Sequence, residues 1–271
     1  MSHYMKELTL QELKETEFEI LKVFDAFCKE NNIKYYLSHG TLLGAIRYKK
    51  FIPWDDDVDL LIPREDYNRM IRLFKDSEHY RLFAFEKDSS YCYPYAKLCD
   101  MRTRKDEVAH VVGSKLGVDI DLFPLDAWDD NLEKAREEAQ YLLKNINKLR
   151  LIRMKKPNTA NPLKKFMGWL ILSYYKMRGS KPYIKSILRV STNKEPKDSR
   201  YLGCKAWCVY GEKGIIPAEV FADTVDIEFE GLMFPAPIGW DTYLTCLYGD
   251  YLPEPPKDKQ KTHHHFKAYR L

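Results

Sequence analysis

The chain has 271 residues, 45% of them hydrophobic and 14% aromatic, which is enough apolar material for a packed core and excludes a largely disordered protein. The net charge of +4 hides a split, with 16 basic residues against two acids between 144 and 200 and 28 against 38 elsewhere, so the middle segment suits an anionic partner. With no apolar signal region, no apolar run of the roughly 18 residues that span a bilayer, and six scattered cysteines that complete no zinc site, the reading is a reduced, cytoplasmic protein.

Thr9 and Glu12 form a capping box ahead of Leu13, Ile20, Leu21, Phe24 and Phe27 at helical spacing, which predicts a first helix over 9–32. A short strand follows at 33–37. Gly40 and Gly44 then suggest a tight turn opening a helix through Arg47, which leads into an acidic strand at 57–62. Helical spacing returns over 64–76, and strands are expected at 80–85, 93–98 and 117–123. A long helix is predicted over 131–154, broken by Pro157 and Pro162, with further helices at 163–177 and 183–190 and a loop at 191–203. Near the end, alternating Val225, Ile227 and Phe229 turn at Glu230-Gly231 into a hairpin, and a short helix over 241–247 closes at Gly249.

The chemistry concentrates in the front third. Ser38-His39-Gly40-Thr41-Leu42-Leu43-Gly44-Ala45-Ile46-Arg47 precedes Ile52-Pro53-Trp54-Asp55-Asp56-Asp57-Val58-Asp59-Leu60. On a strand, Asp55, Asp57 and Asp59 share one face while Val58 and Leu60 pack behind. Like charges that close are unfavourable unless a cation lies among them, and hard oxygen ligands suit Mg²⁺ or Mn²⁺, the ions of phosphate transfer. Asp119 and Asp121 lie in a second run that alternates acids with apolar residues. Two carboxylates on one strand with a third on its neighbour are the parts of a nucleotidyltransferase-type mixed β-sheet, so the expected class is α+β, with flanking helices and a basic helical segment.

The segment from Tyr36 to Ile62, the run Asp121-Leu122-Phe123-Pro124-Leu125-Asp126, and Tyr248-Gly249-Asp250-Tyr251 followed by Pro255-Pro256 and His263-His264 together resemble the LicD family. That family comprises bacterial phosphocholine transferases, and the catalytic part of fukutin-related protein is similar to it. The resemblance implies transfer of phosphocholine, or a related phosphoalcohol, from a CDP-activated donor such as CDP-choline to a sugar hydroxyl of a lipid-linked, cell-surface glycan such as a teichoic acid precursor. It puts the metal carboxylates, which are also the catalytic ones, on Asp57, Asp59 and Asp121, with Mg²⁺ or Mn²⁺ as the ion. Asp55 is an extra candidate and Asp119 ranks lower. Tyr48 stands where the family often has His.

Gly40 and Thr41 lack bulk and precede a helix, so they are candidates for the donor phosphates together with Arg47 and Lys97. Edge protection is the alternative for Lys97. His263 and His264 are candidates for a general base or a lid. Organisation is expected as a catalytic core over 1–130, a basic helical segment over 131–203 facing acceptor or membrane, and a C-terminal portion over 204–271 completing one compact unit. Lys164, Lys165, Lys176 and Arg178 flank a short apolar stretch with Trp and Tyr, which reads either as a buried helix or as one lying on the inner face of an anionic membrane. The competing functions are transfer of a nucleoside monophosphate onto a small molecule and non-catalytic binding of anionic lipid or glycan. No nucleic-acid partner is expected, because the acidic cluster would repel a duplex.

Overall fold

The computed structural model describes residues 6–107, 116–262 and 266–271. In chain order its elements are β1 (Lys6–Glu7), α1 (Leu10–Asn31), β2 (Tyr36–Leu37), α2 (His39–Tyr48), β3 (Asp59–Pro63), α3 (Arg64–Leu73), β4 (Tyr80–Phe83), β5 (Ala96–Asp100), β6 (Thr103–Glu107), β7 (Val118–Ala127), α4 (Leu132–Arg153), α5 (Pro162–Arg178), α6 (Lys181–Ser191), β8 (Tyr201–Gly203), β9 (Ile216–Pro217), β10 (Thr224–Phe229), β11 (Leu232–Pro237), α7 (Trp240–Tyr248) and β12 (Phe266–Arg270). The class is α+β, with mixed sheets flanked by helices.

The main sheet runs β2-β3-β7-β5-β4, with β8 and then β9 attached to the end of β7. β3 and β7 are parallel and the other pairings are antiparallel. A parallel pair needs a crossover rather than a hairpin. Here the crossover carries α3, β4, β5 and β6, and it sets Asp59 directly opposite Asp121. β12 returns between β1 and β6, so the C-terminal strand pairs with the N-terminal one.

Local chemistry explains the helices that frame the site. The α1 capping box is complete: Glu12 N–H donates to Thr9 Oγ1 at 3.2 Å and Thr9 N–H to Glu12 Oε2 at 2.9 Å. Its apolar side buries Leu13, Ile20, Leu21, Phe24 and Cys28 against β5 and β7, each large side chain contributing about 1.5–3 kcal/mol. A second apolar cluster joins Trp128 to Ala139, Leu142 and Ile146 of α4 and to Ile184 and Ile187 of α6.

Several boundaries differ from the sequence expectation. The strand expected at 33–37 begins only at Tyr36, because Asn32 takes the left-handed conformation (φ 49°) and Ile33 N–H still bonds back to Cys28 O at 2.9 Å. Gly40 and Gly44 lie inside α2 and form no turn. A Cβ on Gly44 would come within 2.6 Å of Lys50 O, so its absence lets the chain fold back closely over the helix. Tyr93 and Tyr95 precede β5, and β8 forms inside the stretch expected to be loop.

Candidate active site

The site is assembled where β3 begins. Ser38 N–H donates to Asp59 O at 3.1 Å and Asp59 N–H donates to Thr41 Oγ1 at 2.9 Å, which ties the entry of α2 to the first residue of β3. The Thr41 hydroxyl thus fixes the backbone of Asp59. Asp121 N–H donates to Val58 O at 2.8 Å and extends the parallel ladder one residue before β3.

The acidic run corrects the alternation argument. Asp55, Asp56 and Asp57 precede the strand outside any ladder, and Asp55 N–H bonds back to Ile52 O at 3.0 Å across a turn, so strand alternation does not apply there. The three carboxylates each offer an oxygen within 4.8 Å of the others, so Asp56, not singled out from the sequence, belongs to this group. Gly40 lies against the cluster: a Cβ there would meet Asp55 Oδ2 at 2.6 Å. Asp59 and Asp121 face each other across the β3/β7 ladder beside the cluster. Burial pushes the Asp59 carboxyl well above its ordinary range, and the charges of Asp57, Asp121 and Asp55 push it further, with Lys97 opposing.

Lys97 is the internal cation of the site. β5 lies between β7 and β4, so Lys97 is buried within the sheet and edge protection is ruled out by its position. Its ammonium pairs with both Asp119 and Asp121, while Lys105 Nζ holds the second Asp119 oxygen at 2.9 Å. Burial works against the Asp119 charge, but Lys105 and Lys97 outweigh it and hold that carboxyl below its usual range. For Asp121 burial prevails over Lys97 and the pKa is raised. Asp126, the last acid of the second run, makes a bidentate pair with Arg64 at 2.6 and 2.8 Å, which locks α3 onto β7.

Other expected residues fall in different places. The Arg47 guanidinium donates to Tyr251 O and, at 2.7 Å, to Pro253 O, so it ties α2 to the C-terminal portion, and Tyr48 OH adds a bond to Glu254 at 2.6 Å. His263 and His264 lie outside the described residues. His39, not singled out from the sequence, has Nδ1 3.9 Å from Asp59 Oδ2, stacks on Tyr210, and is pushed down to a pKa of about 4 by burial. Its φ of 46° is unusual for a non-glycine residue and aims the start of α2 at this point. A crevice beside it is walled by Leu61, Cys204, Trp207, Tyr210 and Tyr243.

Two further cations went unread. Arg150 and Arg153, in the last turn of α4, lie over Trp207 (5.5 Å to the ring centre) and Tyr93 (4.2 Å). The Tyr93 and Tyr95 rings also hold Lys97 Nζ, at 5.2 and 5.7 Å, so Arg153 shares the Tyr93 ring with Lys97, while Arg150 is separated from Lys97 by Trp207 and Tyr95. Burial, then the neighbouring Arg153 charge, pushes the Arg150 pKa down. A three-residue spacing of arginines at a helix end was the available signal, masked by the many basic residues around it. Glu17 was likewise missed. It is fully buried in α1, and neither of its carboxyl oxygens has a hydrogen-bond partner among the described residues.

The profile described as "LicD/FKTN/FKRP, nucleotidyltransferase domain" matches residues 32–140, which contain Asp57, Asp59, Lys97 and Asp121. The lipopolysaccharide cholinephosphotransferase LicD of Haemophilus influenzae is 32% identical over 98% of this chain and 100% of its own length. The human ribitol 5-phosphate transferase FKRP is 44% identical over 57 residues, 21% of this chain and 11% of that protein. Mannosyltransferase regulator 4 of Saccharomyces cerevisiae is 36% identical over 58 residues, 21% of this chain and 5% of its own. The near-complete alignment with the Haemophilus protein, joined to the profile match over the acidic site, shows that the chain belongs to the LicD family.

Proposed function

We propose that the protein transfers phosphocholine, or a related phosphoalcohol, from a CDP-activated donor to a sugar hydroxyl of a lipid-linked glycan at the inner face of the membrane, with Mg²⁺ or Mn²⁺ bound. It is a phosphotransferase of the LicD type. The observation that carries the finer reading is the meeting of Asp59 and Asp121 across the parallel β3/β7 ladder, beside the Asp55–Asp56–Asp57 cluster. The donor set fits a hard divalent cation: it is all carboxylate, it is crowded, and burial together with neighbouring charge disfavours ionised Asp59 without a counter-cation. Asp57, Asp59 and Asp121 would hold the ion, and its chemistry there would be to neutralise negative charge on the donor diphosphate.

The chain's own groups supply the rest. Thr41 and Ser38 fix the position of Asp59 through its backbone, so the carboxylate is oriented before substrate arrives. Lys97 pairs with Asp121 and opposes, without overcoming, the rise in pKa that burial causes there. When the acceptor oxygen bonds to phosphorus, its proton passes to a site carboxylate, for which Asp121 is our candidate. Arg150 and Arg153 join Arg47, which also holds two backbone carbonyls, as candidate phosphate contacts. The test is incubation with CDP-choline and Mg²⁺ in the presence and absence of candidate glycans. CMP release that requires both the ion and an acceptor supports the reading, and intact donor under every condition overturns it.

A further inference from the structure

α5 turns outward along almost its whole length. Leu163, Phe166, Met167, Leu170, Tyr174 and Met177 recur at three- and four-residue intervals and so form one stripe. They are 72, 60, 49, 52, 50 and 85% exposed. The opposite side is marked by Leu172, the residue α5 buries, and by Gly168, where a Cβ would sit 2.8 Å from Pro157. The helix is therefore held to the protein by its back while it shows apolar side chains to the outside, the reverse of a helix on a soluble surface. The alternative in which this helix is buried is ruled out. A continuous patch of this kind marks an interaction surface.

Charge decides the kind of surface it meets. The sequence from 139 to 194 contains no Asp or Glu. Lys164 and Lys165 stand at the start of α5, Lys176 and Arg178 at its end, and exposed Lys156 lies just before it. A second copy docked through the same face would set cations against cations. An anionic bilayer satisfies both features, taking the stripe among its acyl chains and the Lys164 and Arg178 heads at its phosphates, while Lys165 and Lys176, on the Leu172 side, add to the positive field. At 17 residues with four cations, α5 lies along such a surface and does not cross it, and no helix among the described residues is long and apolar enough to cross a membrane.

We propose that α5 is an interfacial docking helix that seats the protein on a membrane containing anionic lipid. Docking itself does not depend on the transfer chemistry. Under the proposed function, its packing against α4, whose last turn bears Arg150 and Arg153, brings the bilayer to the side where a lipid-carried acceptor is needed.

The test is flotation with vesicles of phosphatidylcholine alone and of phosphatidylcholine with phosphatidylglycerol, at low and high salt. The full-length protein floats with the anionic vesicles and is released by salt. Each cation at the lipid contributes roughly a fivefold change in partitioning, so changing Lys164, Lys165, Lys176 and Arg178 together to Gln weakens binding at least about tenfold. A second variant, Phe166→Ser with Leu170→Ser, weakens it at low salt with all charges intact. Both variants alter exposed side chains, and unchanged circular dichroism and melting temperature show that they fold. Equal binding of wild type and both variants, binding indifferent to lipid charge, or self-association through α5 without flotation would each overturn the proposal.

Discussion

Replacing Glu17 by Gln should stabilise the metal-free protein, and the gain should grow with pH. Glu17 is fully buried in α1 and neither carboxyl oxygen has a partner among the described residues. Burial raises its pKa well above the ordinary 4.5; Lys105 opposes, and Asp57, Asp119 and Asp56 add to the rise. An acid whose pKa is higher folded than unfolded takes up a proton on folding. Its cost is absent below the unfolded pKa and accumulates as pH climbs toward the folded one. The accumulation is about 1.4 kcal/mol for each pH unit above the unfolded value. Its ceiling at about pH 7 is therefore about 3.5 kcal/mol, which is a large share of a typical folding free energy. Gln keeps the shape and cannot ionise, and its buried amide carries a penalty similar to that of the protonated acid. Urea unfolding of both proteins in chelator should give near-equal free energies at about pH 4 and a variant that pulls ahead progressively as pH rises to about 7. A difference that is independent of pH, or a variant that falls behind as pH rises, would refute the reasoning.

Asp57→Asn and Asp59→Asn should each abolish transfer while the melting temperature in chelator stays level or rises, since one charge leaves a crowded cluster; activity near wild type at saturating Mg²⁺ contradicts the ligand assignment. Gly40→Val drives its Cβ against Asp55 Oδ2, 2.6 Å away, and should weaken CDP-choline binding at least about tenfold by calorimetry with helix content unchanged. Asp126→Asn strands the buried Arg64 guanidinium and should cost about 3–5 kcal/mol in urea unfolding. Changing Arg150 and Arg153 together to Gln should weaken CDP-choline binding and leave the melting temperature nearly unchanged, whereas the two Lys replacements should restore part of the affinity.

Where structure follows local rules, the sequence was readable. The capping box of α1, the Glu230-Gly231 turn between β10 and β11 (φ 50° and 79°) and the end of α7 at Gly249 are each decided by neighbouring residues. The strands that escaped are short ones whose partners are distant. β12 pairs Phe266 with Glu107, and β8 pairs Gly203 with Asp126, so no local pattern announces them. The acidic motif was legible as chemistry but not as geometry. Its start lies outside the ladder, and strand alternation applies only from Asp59 onward. Glu17 occupies the same helical face as Leu13, Ile20, Leu21 and Phe24, so the signal was an acid inside an apolar stripe. For α5 the periodicity was plain; whether its stripe met protein or solvent depended on tertiary packing, which periodicity does not report.

The central claim is that the phosphoalcohol half of the donor moves to the acceptor, and the competing chemistry, transfer of the nucleoside monophosphate, would use the same carboxylates. The most direct measurement follows CDP-choline labelled separately in choline and in cytidine, incubated with the protein, Mg²⁺ and a lipid-linked glycan. The account predicts that the choline label and its adjoining phosphate appear on the glycan while the cytidine label is recovered as free CMP. Cytidine label on the glycan, with phosphocholine released, would contradict it.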